Sequence, residues 1–352
     1  MNQRLPLETQ TLYAELLEHV LGIEAQRSVG SLAGSFVSKQ IKGQPYLYYQ
    51  ASFPDGKSRQ FYLGRQSPTL DRLVARFERE HALFAADHAR SARMSAQLRA
   101  GGASMSDVAS ARVLGGLADA GVFTAGGVLV GTHAFVAIGN LLGVHWTSGS
   151  LRTQDVDFGS SREPDVDIAI PDMQLDLPAT LENLRMGFLP APALDAKQPS
   201  TFFKVRGQAL RVDLLCPKRG SADTPVFIPR FNAAAQPLAH LGFLLESPDH
   251  ALVLAGTAVL VNVPAPARFG FHKLLVAQLR PASFAAKADK DLLQAAQVLD
   301  ALAEDRPGDL ALAWEALEPF GAKVMKAIQR GLVAAERHAS GLRKRIRQAT
   351  GA

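Results

Sequence analysis

The 352-residue chain has one cysteine, Cys216. That count excludes an internal disulfide framework and a cysteine-built zinc site, and Cys216 itself reads as a structural residue at an apolar strand end. Long hydrophobic runs are also missing. The best candidate for a membrane span, "ALVLAGTAVLVNV" (251–263), is too short, ends at Pro264 and carries Gly and Asn inside. The N-terminal "MNQRLPLETQTLYAELLEHV" has acidic residues at helical spacing where a signal peptide needs a continuous apolar core. A cytoplasmic protein with no membrane partner is expected. No internal repeat and no low-complexity segment is present. What remains, 47% hydrophobic and 20% charged residues, is the make-up of a globular protein long enough for two or three domains.

Acidic residues are scarce in one place. Between Gly321 and Arg347 there are eight Lys or Arg residues against one acid, Glu336. Such a tail attracts polyanions such as nucleic acid, or else forms a solvated helix end that keeps the chain soluble.

Along the chain, residues 7–27 read as an amphipathic helix. "QPYLYYQASFPDGKSRQFYLGR" (44–65) alternates aromatic and polar residues around Pro54-Asp55-Gly56, which predicts a β-hairpin. Residues 67–102 read as a long charged helix, capped by Ser67 or Thr69 and stopped by Gly101-Gly102. A short helix follows over 106–121. From about 122 to 263 short β-rich segments alternate with helices and Gly/Pro loops. Strands are expected at 126–132, 153–159 and 165–171, a strand pair at 201–217, and helices at 133–143 and 179–188. Helices at 268–280, 284–303 and 308–345, the last broken near Pro319, complete an α+β chain.

The chemistry concentrates in the centre. In "RTQDVDFG" (152–159) Asp155 and Asp157 are two apart, so on a strand they share one face. Two such carboxylates repel unless a cation or proton sits between them, and hard cations such as Mg²⁺ take oxygen ligands. The spacing alone is weak, since Asp165 and Asp167 repeat it. Upstream, "VLVGTHAF" puts Gly131 and Thr132 between a buried strand and a helix, a phosphate-binding arrangement. Downstream, "ALRVDLLCP" places Asp213 among apolar residues. Either a third metal-ligand role or pairing with Lys204, Arg206 or Arg211 would offset the cost of burying it. Together the three features point to a metal–triphosphate site.

These residues resemble the nucleotidyltransferase superfamily that includes DNA polymerase β and kanamycin nucleotidyltransferase. "VNVPAPARFGFHKLLVAQLR" (261–280) and "KADKDLLQAAQVLDAL" (287–302) resemble the V-P-x-P…H-K-L…R…K-D-L run of bacterial nucleotidyltransferase-like proteins, abortive-infection toxins among them. The resemblance spans about 105 to 303. It implies a small mixed sheet with helices on one side and a helical domain closing over a nucleotide. N-terminal helices and hairpin would occupy 1–104, the transferase core 105–265 and the helical domain with its basic tail 266–352. It further implies that Asp155 and Asp157 bind two Mg²⁺ ions (Mn²⁺ in their place is an alternative). Asp213 binds the catalytic metal and activates the acceptor hydroxyl, and Gly131 and Thr132 hold the triphosphate of an NTP. Lys273 and Arg280, seven apart on one helix face, meet phosphate or base, with Lys290 and Asp291 as weaker candidates. Without the resemblance, Lys273 and Arg280 are solvated helix charges and Asp291 an early-helix charge favoured by the dipole. The chain departs from the family in having Gly-Thr for the usual Gly-Ser, and in "HWTSGSLR" (145–152) inserted before the acidic strand. His133 reads as a helix N-terminal residue, and no Cys/His spacing suggests zinc.

Tyr46, Tyr48, Tyr49, Phe61 and Tyr62 interleave with Lys42, Lys57, Arg59 and Arg65 in the hairpin. That pattern suits single-stranded nucleic acid, or packing of the aromatics on the adjacent helix. With the basic tail it makes RNA, tRNA included, the acceptor to test first. A protein or small-molecule acceptor of the aminoglycoside type, and a non-catalytic nucleic-acid-binding protein on a decayed transferase scaffold, are the competing readings.

Overall fold

The computed structural model describes residues 3–32, 34–52, 58–146, 153–160, 175–191, 198–221 and 223–351. The expected strand at 165–171, the Pro54-Asp55-Gly56 turn and most of the 145–152 insertion lie outside these residues.

The chain starts with β1 (Gln3–Arg4) and α1 (Leu7–Ala25), then β2 (Gly34–Ile41), β3 (Gln44–Ser52), β4 (Ser58–Arg65) and α2 (Pro68–Ala100). The amphipathic spacing of α1 buries Tyr13, Leu16, Val20 and Ile23 along one stripe. Ser67 caps α2 by accepting from the Leu70 N–H at 3.3 Å, Pro68 opens it, and Gly101 ends it. The expected hairpin is real but belongs to a three-stranded antiparallel sheet, β2-β3-β4. Its third strand, "GSFVSKQI", was not expected because it is largely exposed and lacks a buried alternating face.

Next come α3 (Val108–Asp119), β5 (Val128–Val130), α4 (Gly131–Leu141), β6 (Val144–His145), β7 (Asp155–Gly159), α5 (Leu177–Asn183), β8 (Phe188–Pro190), β9 (Phe202–Val205) and β10 (Arg211–Pro217). The expected helix over 179–188 stops early. Arg185 and Gly187 take positive φ, and Phe188–Pro190 turns into a strand paired with β9. β11 (Val226–Ile228), β12 (Ala233–Leu238), α6 (Leu241–Leu245), β13 (Asp249–Leu254) and β14 (Ala258–Val263) complete the central part. The main sheet runs β11-β12-β10-β7-β5, with β9 along the first half of β10 and β8 outside it. The apolar stretch 251–263 is the antiparallel hairpin β13-β14, and among the described residues no helix is long and apolar enough to cross a membrane.

The remaining helices are α7 (Pro266–Leu279), α8 (Ala285–Asp305), α9 (Pro307–Glu315), α10 (Ala322–Ala335) and α11 (Leu342–Thr350). The expected 308–345 helix is therefore three, with a second break at Gly341, which takes φ +75°. The Glu336 carboxylate accepts from the Gly341 and Arg343 N–H groups at 2.8 and 3.1 Å and starts α11 in place of a side-chain cap. One apolar cluster runs from Val113 to Ile346 and joins the sheet to these helices. A second joins α1 and α2 to Leu252 and Leu254 of β13. Each large aliphatic side chain buried in them contributes about 1.5–3 kcal/mol.

Candidate active site

β7 sits between antiparallel β5 and parallel β10, with Val130 and Asp213 both opposite Asp157, and Arg211 opposite Asp155. Alternation puts Asp155 and Asp157 on one face, and parallel partners face the same way, so Arg211 and Asp213 join them. Val156, Phe158, Val212 and Leu214 are fully buried on the other face. They pin the register, because a one-residue slip would send the carboxylates into the core.

β5 passes into α4 without a loop. Gly131 makes the corner with φ +70°, and a Cβ there would lie 2.5 Å from Asp157 Oδ2. Left-handed backbone and close approach to a carboxylate both demand glycine. Val130 at the N-cap offers no side-chain acceptor, so among the described residues the first-turn N–H groups of α4 have no side-chain partner, and Thr132 beside them is buried. The turn and the acidic strand thus meet, despite the long interval between them in the sequence.

One guanidinium lies among the carboxylates. Arg211 Nε donates to Asp213 Oδ2 at 2.6 Å and Nη2 to Oδ1 at 2.7 Å, and Nε lies 3.6 Å from Asp155 Oδ1. Its plane sits over the Phe202 ring, 5.1 Å from the centroid. Of the three basic partners open to Asp213 from the sequence, Arg211 is the one used. Burial raises the Asp213 pKa while Arg211 opposes the shift. Asp157 receives no ion pair among the described residues. Burial, then Asp213 and Asp155, push its carboxyl up to about 7.

Across from the strands, Asp291 of α8 is only 3% exposed and accepts from Lys273 Nζ at 2.7 Å and Arg280 Nε at 2.6 Å. Burial disfavours its charge, but Lys273 and then Arg280 outweigh that and hold its pKa below the ordinary carboxylate value. The reading of Lys273 and Arg280 as solvated charges, and of Asp291 as an early-helix charge, gives way to a buried acid held by two half-buried cations. Helical spacing brings both cations of one face to a single acid one helix away. Lys290, next to Asp291, lies close enough to Asp155 and Asp157 to feel their charge, although burial lowers its pKa on balance. Lys273 likewise acts on Asp157. The helical part therefore places two lysines within electrostatic reach of the carboxylates.

His133 stands in the first turn of α4, as expected, but it is buried and its Nε2 has no hydrogen-bond partner among the described residues. Burial lowers its pKa against the pull of Asp107 and Asp155. His145 instead neighbours the Ser104 hydroxyl, Nδ1 to Oγ 3.5 Å. Arg211, which the sequence offers only as one of three candidate partners of Asp213, joins the site itself. Its signal was present, since an Arg two before an Asp in a strand shares that Asp's face.

Among the described residues, no three His, Cys, Asp or Glu side chains form a ready-made ligand group. The donor chemistry nevertheless fits a divalent cation. Three carboxylates share one sheet face, and burial first, then the repulsion of the other two, pushes the Asp157 carboxyl up to about 7.

In the N-terminal sheet the aromatics divide between the two faces. Tyr49 packs on Phe36, which meets Phe77 of α2, while Tyr46 and Tyr48 flank Tyr62 with centroids 6.1 and 5.5 Å apart. Tyr62 is 60% exposed, and Lys39 lies over the Tyr48 ring at 4.9 Å.

Comparison with known proteins finds no match among curated proteins or solved structures. A family model described as nucleotidyltransferase matches residues 109–318, which takes in the corner at Gly131, all three aspartates and the Lys273–Asp291–Arg280 triad. The chain belongs to the nucleotidyltransferase family, enzymes that transfer a nucleoside monophosphate from an NTP.

Proposed function

We propose that this enzyme transfers a nucleoside monophosphate from an NTP to a hydroxyl of RNA, with Mg²⁺ held by Asp155, Asp157 and Asp213. The observation that carries the reading is the closeness of the helix corner to the carboxylates, 2.5 Å from a Gly131 Cβ to Asp157 Oδ2. A triphosphate on the corner then lies beside the acidic face.

In this reading the N–H groups of Gly131 and Thr132 hold the phosphates, and α7 and α8 bring Lys273 and Lys290 toward them. Asp291 orients Lys273 and Arg280 so that both cations stay extended toward one spot. The acceptor hydroxyl attacks the α-phosphorus, the bond to the bridging oxygen breaks, and pyrophosphate leaves. Asp213 takes the hydroxyl proton. Mg²⁺, or Mn²⁺ on the same oxygen donors, supplies neutralisation of the charge that builds on the phosphates. Residues 105–265 carry the transferase core, 266–352 cover the nucleotide, and 1–104 add the aromatic sheet. The basic stretch 321–347, and exposed Tyr62 flanked by half-buried Tyr46 and Tyr48, support RNA over a small molecule as acceptor.

The test incubates the protein with Mg²⁺, each α-labelled NTP, and total RNA or a protein lysate, beside Asp155→Ala/Asp157→Ala. Metal-dependent label on RNA with wild type alone supports the reading. Label only on protein or a small molecule overturns the acceptor, and no transfer with no metal-dependent NTP binding overturns the whole.

A further inference from the structure

α9, α10 and α11 form an open cavity of about 470 Å³. α10 contributes Lys326 and Arg330 to its wall and α11 contributes Arg343 and Arg347, while Trp314, Leu332 and Ile346 form an apolar floor. Among the described residues no acid lines it. Three acids on α8 and after α10 are engaged elsewhere: Glu336 by the Gly341 and Arg343 N–H groups, Asp300 by Arg345, and Asp289 by Arg337 and His338. None of the four cavity cations has a carboxylate partner among the described residues.

On each helix the two cations are four residues apart, a step of about 6 Å along the axis. The wall therefore carries two rows of positive charge over an apolar floor that includes an indole. The volume lies within the range of sites that take one or two small flat groups. It is far too small for a duplex, and an acidic peptide brings no flat apolar face to the floor. A single nucleic-acid strand brings both phosphates and bases.

We infer that this groove binds a single-stranded segment of RNA, with phosphates along the cation rows and a base on the Trp314 floor. The groove lies outside the carboxylate site and adds a second point of hold. The inference rests on the proposed acceptor only for its purpose, since binding is measured without NTP or metal.

The test is fluorescence anisotropy of a labelled RNA strand of about twelve nucleotides against the full chain over a range of salt concentrations. K326Q/R330Q and R343Q/R347Q each remove two cavity cations. K323Q/K344Q removes two exposed cations outside the cavity, with the same change in net charge. All six side chains are on exposed positions, so the fold is retained, and thermal melts verify it. Each cavity pair is expected to weaken binding by about tenfold or more and to reduce the log–log salt slope by about 1.4. The control pair should change affinity less than about twofold. Equal losses in the control and cavity pairs overturn the inference, as does equal competition by polyglutamate. RNA binding lost in the cavity variants with no label transfer in any assay leaves this inference standing and removes the proposed reaction. Transfer to RNA with no effect of the cavity pairs does the reverse.

Discussion

Replacing Asp157 by Asn is expected to stabilise the protein in EDTA while abolishing its activity. Asp157 stands opposite Asp213, two residues from Asp155, and its carboxyl is pushed from 3.8 to about 7 by burial first and by these two neighbours next. The folded state thus binds a proton that the unfolded state releases between these values, so stability falls as pH rises through this window and levels off above it. A shift of this size corresponds to at most about 4 kcal/mol at pH 8, and to about 1.5 kcal/mol at pH 5. Asparagine mimics the neutral acid and relieves the penalty at every pH. For a chain of this length about 0.7 kcal/mol moves the melting temperature by one degree, so D157N should melt about 5 °C above wild type at pH 8. The gain should shrink to about 2 °C at pH 5. The assay is thermal unfolding followed by circular dichroism at both pH values, repeated with Mg²⁺, which should raise wild type and leave D157N nearly unmoved. A D157N protein that melts at or below wild type at pH 8, or gains equally at both pH values, refutes the electrostatic argument.

Gly131→Ala puts a methyl 2.5 Å from Asp157 Oδ2 on a left-handed backbone, so a loss of about 2 kcal/mol is expected on melting. Nucleotidyl transfer should fall at least about a hundredfold with it, since the corner is displaced; unchanged transfer would contradict the role given to the corner. Asp291→Ala leaves Lys273 and Arg280 facing each other without their buried acid. A loss of about 3–5 kcal/mol is expected by denaturant unfolding, and a loss under about 1 kcal/mol would contradict the triad. Arg211→Gln removes both guanidinium bonds to Asp213. The variant should lose about 2 kcal/mol in EDTA and recover with Mg²⁺, and failure to recover would contradict a cation-binding role for the three aspartates.

Much of this was legible in the residues because it depended on local spacing. Strand alternation put Asp155 and Asp157 on one face, and Ser67 and Gly101 marked both ends of α2. The Gly131 corner was legible as a strand–glycine–helix junction, but its contact with Asp157 was not, since that depends on the pairing of β5 with β7. Asp213 was found as an odd residue in an apolar strand, whereas the choice of Arg211 over Lys204 or Arg206 required the register of β7, β9 and β10. Lys273 and Arg280 were placed on one helix face. Their shared partner lies on another helix, and only the packing of α7 on α8 buries Asp291 between them. The strand at 34–41 escaped because an exposed edge lacks the apolar alternation that marks a half-buried one. The break at Gly341 escaped because the basic sequence around it keeps helical character on both sides.

The most direct test of nucleotidyl transfer follows two labels in one reaction. ATP, or whichever NTP proves active, is supplied with label on the α-phosphate in one tube and on the γ-phosphate in another, with Mg²⁺ and RNA. The account predicts that α-label joins the RNA in step with release of γ-label as pyrophosphate, and that D157N does neither. Transfer of γ-label to any acceptor, or α-label incorporation undiminished in D157N, would contradict it.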